Sequence, residues 1–177
     1  QLHKEHPELC VLKGIEADIL GHGDLDYSQD FLKNFDFVVA SIHSNLQMNE
    51  AKATERITKA IENPHTNIIG HPTGRILLRR NGYPLNMTKI IEACAANQVA
   101  LEINAHPLRL DLDWRWVYKA IEKGVKISIN ADAHDIEGLQ YHRFGVFVAR
   151  KGGLSPQMCL NCMSQKDVRA FFRKHTQ

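Results

Sequence analysis

Asp132 and His134 stand two residues apart at the end of an apolar, β-rich run, Lys126-Ile127-Ser128-Ile129-Asn130-Ala131. In an extended strand, residues i and i+2 point to one side, so a carboxylate oxygen and an imidazole nitrogen are expected to reach one point in space. A divalent metal such as zinc or manganese accepts that pair. Taken alone, the pair also reads as a helix cap followed by a solvent-facing histidine. Four more apolar runs end in comparable groups. Val11–Ile15 is followed by Glu16, Phe35–Ile42 by His43, Asn67–Ile69 by Gly70-His71-Pro72, and Val99–Ile103 by Asn104 and His106. Such groups are poorly tolerated beside buried strands unless paired or metal-bound.

The strand ends meet only if the strands are parallel. The short β-branched runs lack strict polar alternation, which suits strands buried on both faces. A sixth strand is expected over Phe144–Val148. Between the strands, Met48–Glu62, Leu85–Ala96, Asp113–Lys123 and Ser164–His175 have helical spacing, the last opened by a capping-box pattern at Ser164 and Asp167. Alternating strands and helices predict an α/β fold with a mainly parallel sheet, open or closed as a barrel. In such arrays the C-terminal strand ends share the functional face. A polynuclear metal site follows, with hydrolysis of a phosphate ester as its chemistry. Arg75 and Arg109 are placed to grip phosphate oxygens, or to pair with Asp111 or Asp113.

The 177 residues suffice for one domain with a sizeable core, and a formal charge of +2 announces no nucleic-acid binder. No stretch has the length of a membrane span and no signal peptide opens the chain, so a cytoplasmic setting is expected. Cys10 and Cys94 are expected to pack as small hydrophobes, and Cys159-Leu160-Asn161-Cys162 is a weak metal or redox motif without a second pair. His3, His6, His65 and His175 are expected to face solvent, with His22 in a turn and His142 lacking ligand geometry. The stretch 77–83 mixes basic and aromatic residues and reads as an exposed loop or the lining of a nucleic-acid groove. Gln1–Leu9 reads as the end of a helix, so the chain is expected to be part of a longer protein.

Gly14-Ile15-Glu16, Ser41-Ile42-His43-Ser44, Gly70-His71-Pro72 and Asp132-Ala133-His134 resemble successive motifs of the polymerase-and-histidinol-phosphatase (PHP) domain. With Thr73-Gly74-Arg75, Glu102-Ile103-Asn104 and Arg109-Leu110-Asp111-Leu112, the chain is most like the C-terminal PHP domain of family X DNA polymerases. The resemblance implies a distorted (β/α)7 barrel, here a single partial domain over residues 1–177 without its first strand or strands. It implies a centre of up to three zinc or manganese ions, with Glu16 bridging and His43, His71, Asp132 and His134 as further ligands. Glu16, Asp132 and His134 would be catalytic, and Arg75, Asn104 and Arg109 would contact substrate. The implied activity is hydrolysis of DNA 3′ ends by metal-activated water, as a 3′–5′ exonuclease and 3′-phosphatase. The implied partners are DNA and other domains of one polypeptide. The family's early His-x-His pair is absent from this sequence. A histidinol-phosphatase-like enzyme and a non-catalytic structural domain are the alternatives.

Overall fold

The computed structural model describes residues 5–6 and 9–173. His3, His175 and most of the helix expected at Gln1–Leu9 lie outside the described residues. Five strands, β1 (Gly14–Asp18), β2 (Phe37–Ser41), β3 (Ile68–Ile69), β4 (Ala100–Asn104) and β5 (Ile127–Asn130), form one parallel sheet in sequence order. The helices are α1 (Gln29–Leu32), α2 (Glu50–Ile61), α3 (Met87–Asn97), α4 (Trp114–Glu122), α5 (His142–Lys151) and α6 (Gln165–Arg173). Each successive strand adds on the same side of the last, the order of a barrel rather than of a doubly wound sheet, whose order reverses. No helix among the described residues is long and apolar enough to cross a membrane.

Local chemistry starts and stops these elements. Asn49, Asn86 and Asp113 accept backbone N–H bonds at the starts of α2, α3 and α4. At α6, Ser164 Oγ donates to Asp167 Oδ2 at 2.6 Å and accepts from the Asp167 N–H at 3.2 Å, so the Ser164 half of the expected capping box forms, with the Asp167 carboxylate on the Ser164 hydroxyl. α3 continues one residue past its expected stop and ends on left-handed Gln98.

Alternation by two gives the sheet unlike faces. Ala17, Ile19, Val38, Ala40, Leu101, Ile103 and Ile127 belong to the main core with residues of α2 to α5. The other face carries Phe37, Val39, Ile68 and Ala100, which pack with Val168, Phe171 and Phe172 of α6. Phe37 and Phe172 stack with centroids 5.0 Å apart. Asn67 ties the two together, accepting the Val38 N–H at 2.8 Å and donating to the Phe172 carbonyl at 3.0 Å. Toward the C-terminal strand ends the same parity places Glu16, Asp18, Ser41, Glu102, Asn104, Ser128 and Asn130. One face is therefore apolar beneath α6 and polar above it.

Phe144–Val148 is not a strand; it lies within α5. A five-residue apolar run fits a strand or one turn of buried helix. Here Gly145 and Ala149, spaced i and i+4, are buried, and a Cβ on Gly145 would come within 2.5 Å of Ile129 Cγ2. Close helix–sheet contact selects the helix. Glu16 is also mid-strand rather than beyond the strand end, because β1 begins at Gly14. Cys94 is buried as expected, whereas Cys10 is exposed and His65 is buried.

Phe172, only 7% exposed, anchors α6. Phe172→Ala is expected to cost about 3–5 kcal/mol in chemical denaturation; a loss under about 1 kcal/mol would show that α6 does not stabilise the sheet.

Candidate metal centre

The centre begins with the parity of β1. Glu16 and Asp18 project to the polar face, while Ala17 between them is buried in the core. His43 follows β2 by two residues. At the end of β3, Gly70 is needed for its lack of a side chain, since a Cβ there would lie 2.3 Å from Ser41 Oγ. The chain then turns at His71, whose φ of 26° is unusual for a residue with a side chain. Glu102 of β4 holds that turn, its Oε2 accepting the His71 N–H at 2.6 Å.

These turns bring three strands to one point. Glu16 Oε1 lies 3.5 Å from His43 Nε2 and 3.3 Å from His71 Nε2. One ligand atom from each residue falls within 4.8 Å of the others. Nitrogen and oxygen ligands about 2.0–2.2 Å from a tetrahedral ion stand roughly 3.4 Å from each other. The two contacts thus match the edges of a coordination polyhedron better than ideal hydrogen bonds. His71 is 2% exposed and its Nδ1 has no hydrogen-bond partner, so little besides Glu16 or a cation compensates its burial. The three residues fit a divalent cation.

Asp18 contacts His43 Nδ1 through Oδ1. That contact fixes the ring and leaves Nε2 toward Glu16, the usual arrangement of a carboxylate behind a ligating histidine. Buried Arg56 steadies the loops behind them. Its Nε donates to the Leu20 carbonyl at 2.8 Å, its Nη1 to the Ser44 carbonyl at 3.1 Å, and its Nη2 to the Ile19 carbonyl. The segments following β1 and β2 are thereby held together.

The β4–β5 side is a hydrogen-bonded network. Asn130 Nδ2 donates to Glu102 Oε1 at 2.6 Å, and Asn104 Nδ2 donates to Asp132 Oδ2 at 2.9 Å. Arg109 Nε lies 3.6 Å from the same Asp132 oxygen. Asp132 falls beyond β5 with φ of 52°, so the extended geometry expected of the Asp132–His134 pair does not hold. His134 bonds through Nδ1 to the Asp132 carbonyl at 2.8 Å, comes within 3.9 Å of its carboxylate, and leaves its side chain 84% exposed. Neither residue joins the group of Glu16, His43 and His71. Arg75 is committed to the protein: Nε donates to the Arg109 carbonyl at 3.0 Å, Nη2 to the Leu110 carbonyl, and Nη1 stands 3.5 Å from Asp113.

The sequence assigns no site role to Asp18, Glu102 or Arg56. The first two lie two residues from Glu16 and Asn104 on the same strands, so period-two alternation would have found them. Arg56 occupies an apolar helix face and gives no sequence signal of its role.

Hydrogen bonds from His43, then from His71, hold the Glu16 carboxyl well below the usual range against the opposing effect of burial. His43 is raised to about 9, chiefly by its hydrogen bond to Glu16, with burial opposing and Asp18 assisting. Burial pushes Glu102 up, against the Asn130 hydrogen bond. The raised His43 stabilises the metal-free fold fully below its ordinary 6.5 and loses that contribution as pH rises through about 9. A cation must displace this proton, so apparent Mn²⁺ affinity is expected to climb about tenfold per pH unit from pH ~6.5 toward ~9. Calorimetric titration across that interval checks this, and a flat profile would contradict it.

No family model matches the chain. It is 44% identical over 174 residues to the DNA polymerase/3′-5′ exonuclease PolX of Bacillus subtilis (strain 168), covering 98% of this chain and 30% of PolX. It is 31% identical over 162 residues to a probable phosphatase of Thermoanaerobacter sp. (strain X514), covering 85% of the chain and 63% of that protein. A probable phosphatase of Shewanella frigidimarina (strain NCIMB 400) is 36% identical over 97 residues, 53% of the chain and 37% of that protein. The chain thus spans less than two thirds of the length of each of these relatives. At 44% identity over nearly its whole length the chain is a homologue of PolX of Bacillus subtilis, and it is similar to the probable phosphatases.

Proposed function

We propose that the chain is a metal-dependent phosphoesterase domain of a family X DNA polymerase, hydrolysing DNA 3′ ends. The observation that carries this reading is the convergence of Glu16, His43 and His71 within 4.8 Å. The identity with PolX, a named 3′-5′ exonuclease, supports DNA as the substrate. Residues 1–177 would form part of one domain with the distorted (β/α)7 barrel of the PHP type. Its partners would be DNA 3′ ends and the other domains of the same polypeptide, in the cytoplasm.

Glu16, His43 and His71 would hold zinc or manganese, with Asp132 and His134 as ligands on the β5 side. When bound, a divalent cation polarises a phosphoryl oxygen and lowers the pKa of water. Glu16 is kept ionised by its imidazole neighbours, and Asp18 keeps His43 Nε2 turned toward it. Asn104 aims Asp132. The Arg109 guanidinium, partnered by Asp132 at 3.6 Å, can exchange that oxygen for one of a phosphate. Arg75 then serves substrate indirectly, by fixing the backbone of Arg109 and Leu110.

The probable phosphatases among the relatives favour a second reading, hydrolysis of small phosphomonoesters. In the full-length protein with Mn²⁺, nucleotide release from a DNA 3′ end, phosphate release from a 3′-phosphorylated end and hydrolysis of p-nitrophenyl phosphate are to be compared. Glu16→Gln and His71→Gln are expected to lower 3′-end hydrolysis at least about 100-fold. Activity confined to the small ester would replace the first reading with the second, and undiminished activity in both variants would remove the proposed centre.

A further inference from the structure

The adjoining helices α4 and α5 concentrate charge that the chain as a whole balances. Arg115, Lys119 and Lys123, with Arg143, Arg150 and Lys151, face a single carboxylate, Glu122, within residues 114–123 and 142–151. The full chain has 22 Lys and Arg against 20 Asp and Glu, so the remainder is net acidic. Large aromatic side chains are partly exposed among these cations. Trp114 is 36% exposed, Tyr118 52% and Phe147 61%. Trp114 and Tyr118 are spaced i and i+4 along α4, as are Phe147 and Lys151 along α5, so each pair shares a helix face.

The two helices form one continuous surface. Lys151 Nζ of α5 lies 4.9 Å from the Trp114 ring centroid of α4. A Cβ on Gly152 would come within 2.8 Å of Val117, so the end of α5 is pressed against α4. Lys119 Nζ lies 4.5 Å from the Trp116 centroid. A chain of contacts also links the first turn of α4 to Asp132. The cap of α4, Asp113, takes both Arg115 at 2.8 Å and Arg75 at 3.5 Å; Arg75 holds the Arg109 carbonyl, and Arg109 pairs with Asp132.

Aromatic residues and Arg are enriched at protein–protein interfaces but Lys is depleted there, so the three lysines among these six cations favour a single nucleic-acid strand, whose binding surfaces combine cations along the backbone with aromatic platforms for bases. The loop 77–83 lacks that combination, because its aromatic residue, Tyr83, is buried with its hydroxyl on the Pro72 carbonyl. We propose that the α4–α5 face is a sequence-tolerant track for a single nucleic-acid strand, with bases stacking on Trp114 and Tyr118 and phosphates held by Arg115, Lys119 and Lys151. The track extends the 3′-end reading and rests on it for its purpose, feeding a strand toward Arg109.

Both tryptophans of the chain lie on α4, so intrinsic tryptophan fluorescence reports on this face. The chain is titrated with a thymidine oligonucleotide of about 12 nucleotides at about 50 mM salt, with EDTA present. Quenching is expected, weakening with salt at a log–log slope near −2, about −0.7 for each of three phosphate contacts. Trp114→Ala, read through Trp116, is expected to weaken binding at least about fivefold. Lys119→Glu with Lys151→Glu is expected to weaken it more than about tenfold and to flatten the slope by about 1.4. Thermal melting confirms that each variant is folded. Absence of binding, or folded variants that bind as the parent does, would overturn the track. So would variants that change self-association of the chain while oligonucleotide binding is unchanged, which would mark a protein-facing surface. Binding under EDTA is independent of hydrolysis, so failure of the track and failure of the catalytic reading are separable.

Discussion

One carboxylate oxygen, Glu16 Oε1, faces imidazole nitrogens from two other segments, and the rest of the site depends on keeping that arrangement. The residues come from β1, the end of β2 and the end of β3, neighbours only because the sheet is parallel and in sequence order. Gly70 lets β3 approach Ser41, Glu102 fixes the backbone at His71, and Arg56 binds the segments after β1 and β2. Without a cation the Glu16 carboxylate and the His43 imidazolium stabilise each other's charged forms, so Glu16 is depressed and His43 raised together.

The two faces of the sheet divide stability from chemistry. Helices α2 to α5 cover one face with a continuous apolar core, while α6 covers only the lower part of the other. The upper part is free to carry charged and amide side chains, joined by the Asn130–Glu102 and Asn104–Asp132 bonds. These bonds position Glu102 and Asp132 while offsetting the cost of taking their carboxylates out of water.

The α/β class and the strand ends were legible in the sequence because imidazoles and carboxylates beside β-branched runs are costly and therefore conspicuous. Glu16, His43 and His71 converge as their positions suggested. Asp132 and His134 illustrate the limit: strand periodicity does not extend into a left-handed residue, and Asp132 adopts that conformation just past β5. Arg75 shows another. A guanidinium near a site is equally suited to phosphate and to backbone carbonyls, and only the fold shows that the carbonyls of Arg109 and Leu110 occupy it. Phe144–Val148 was ambiguous because its length is compatible with either element, and the small residues Gly145 and Ala149 decide the matter only when a sheet lies beneath them.

The most direct test is anomalous diffraction at the manganese edge from crystals grown with Mn²⁺. A peak is expected about 2.0–2.3 Å from a Glu16 carboxylate oxygen and from Nε2 of both His43 and His71. A map with no peak there, and with both imidazoles still hydrogen-bonded to Glu16, would contradict the central claim.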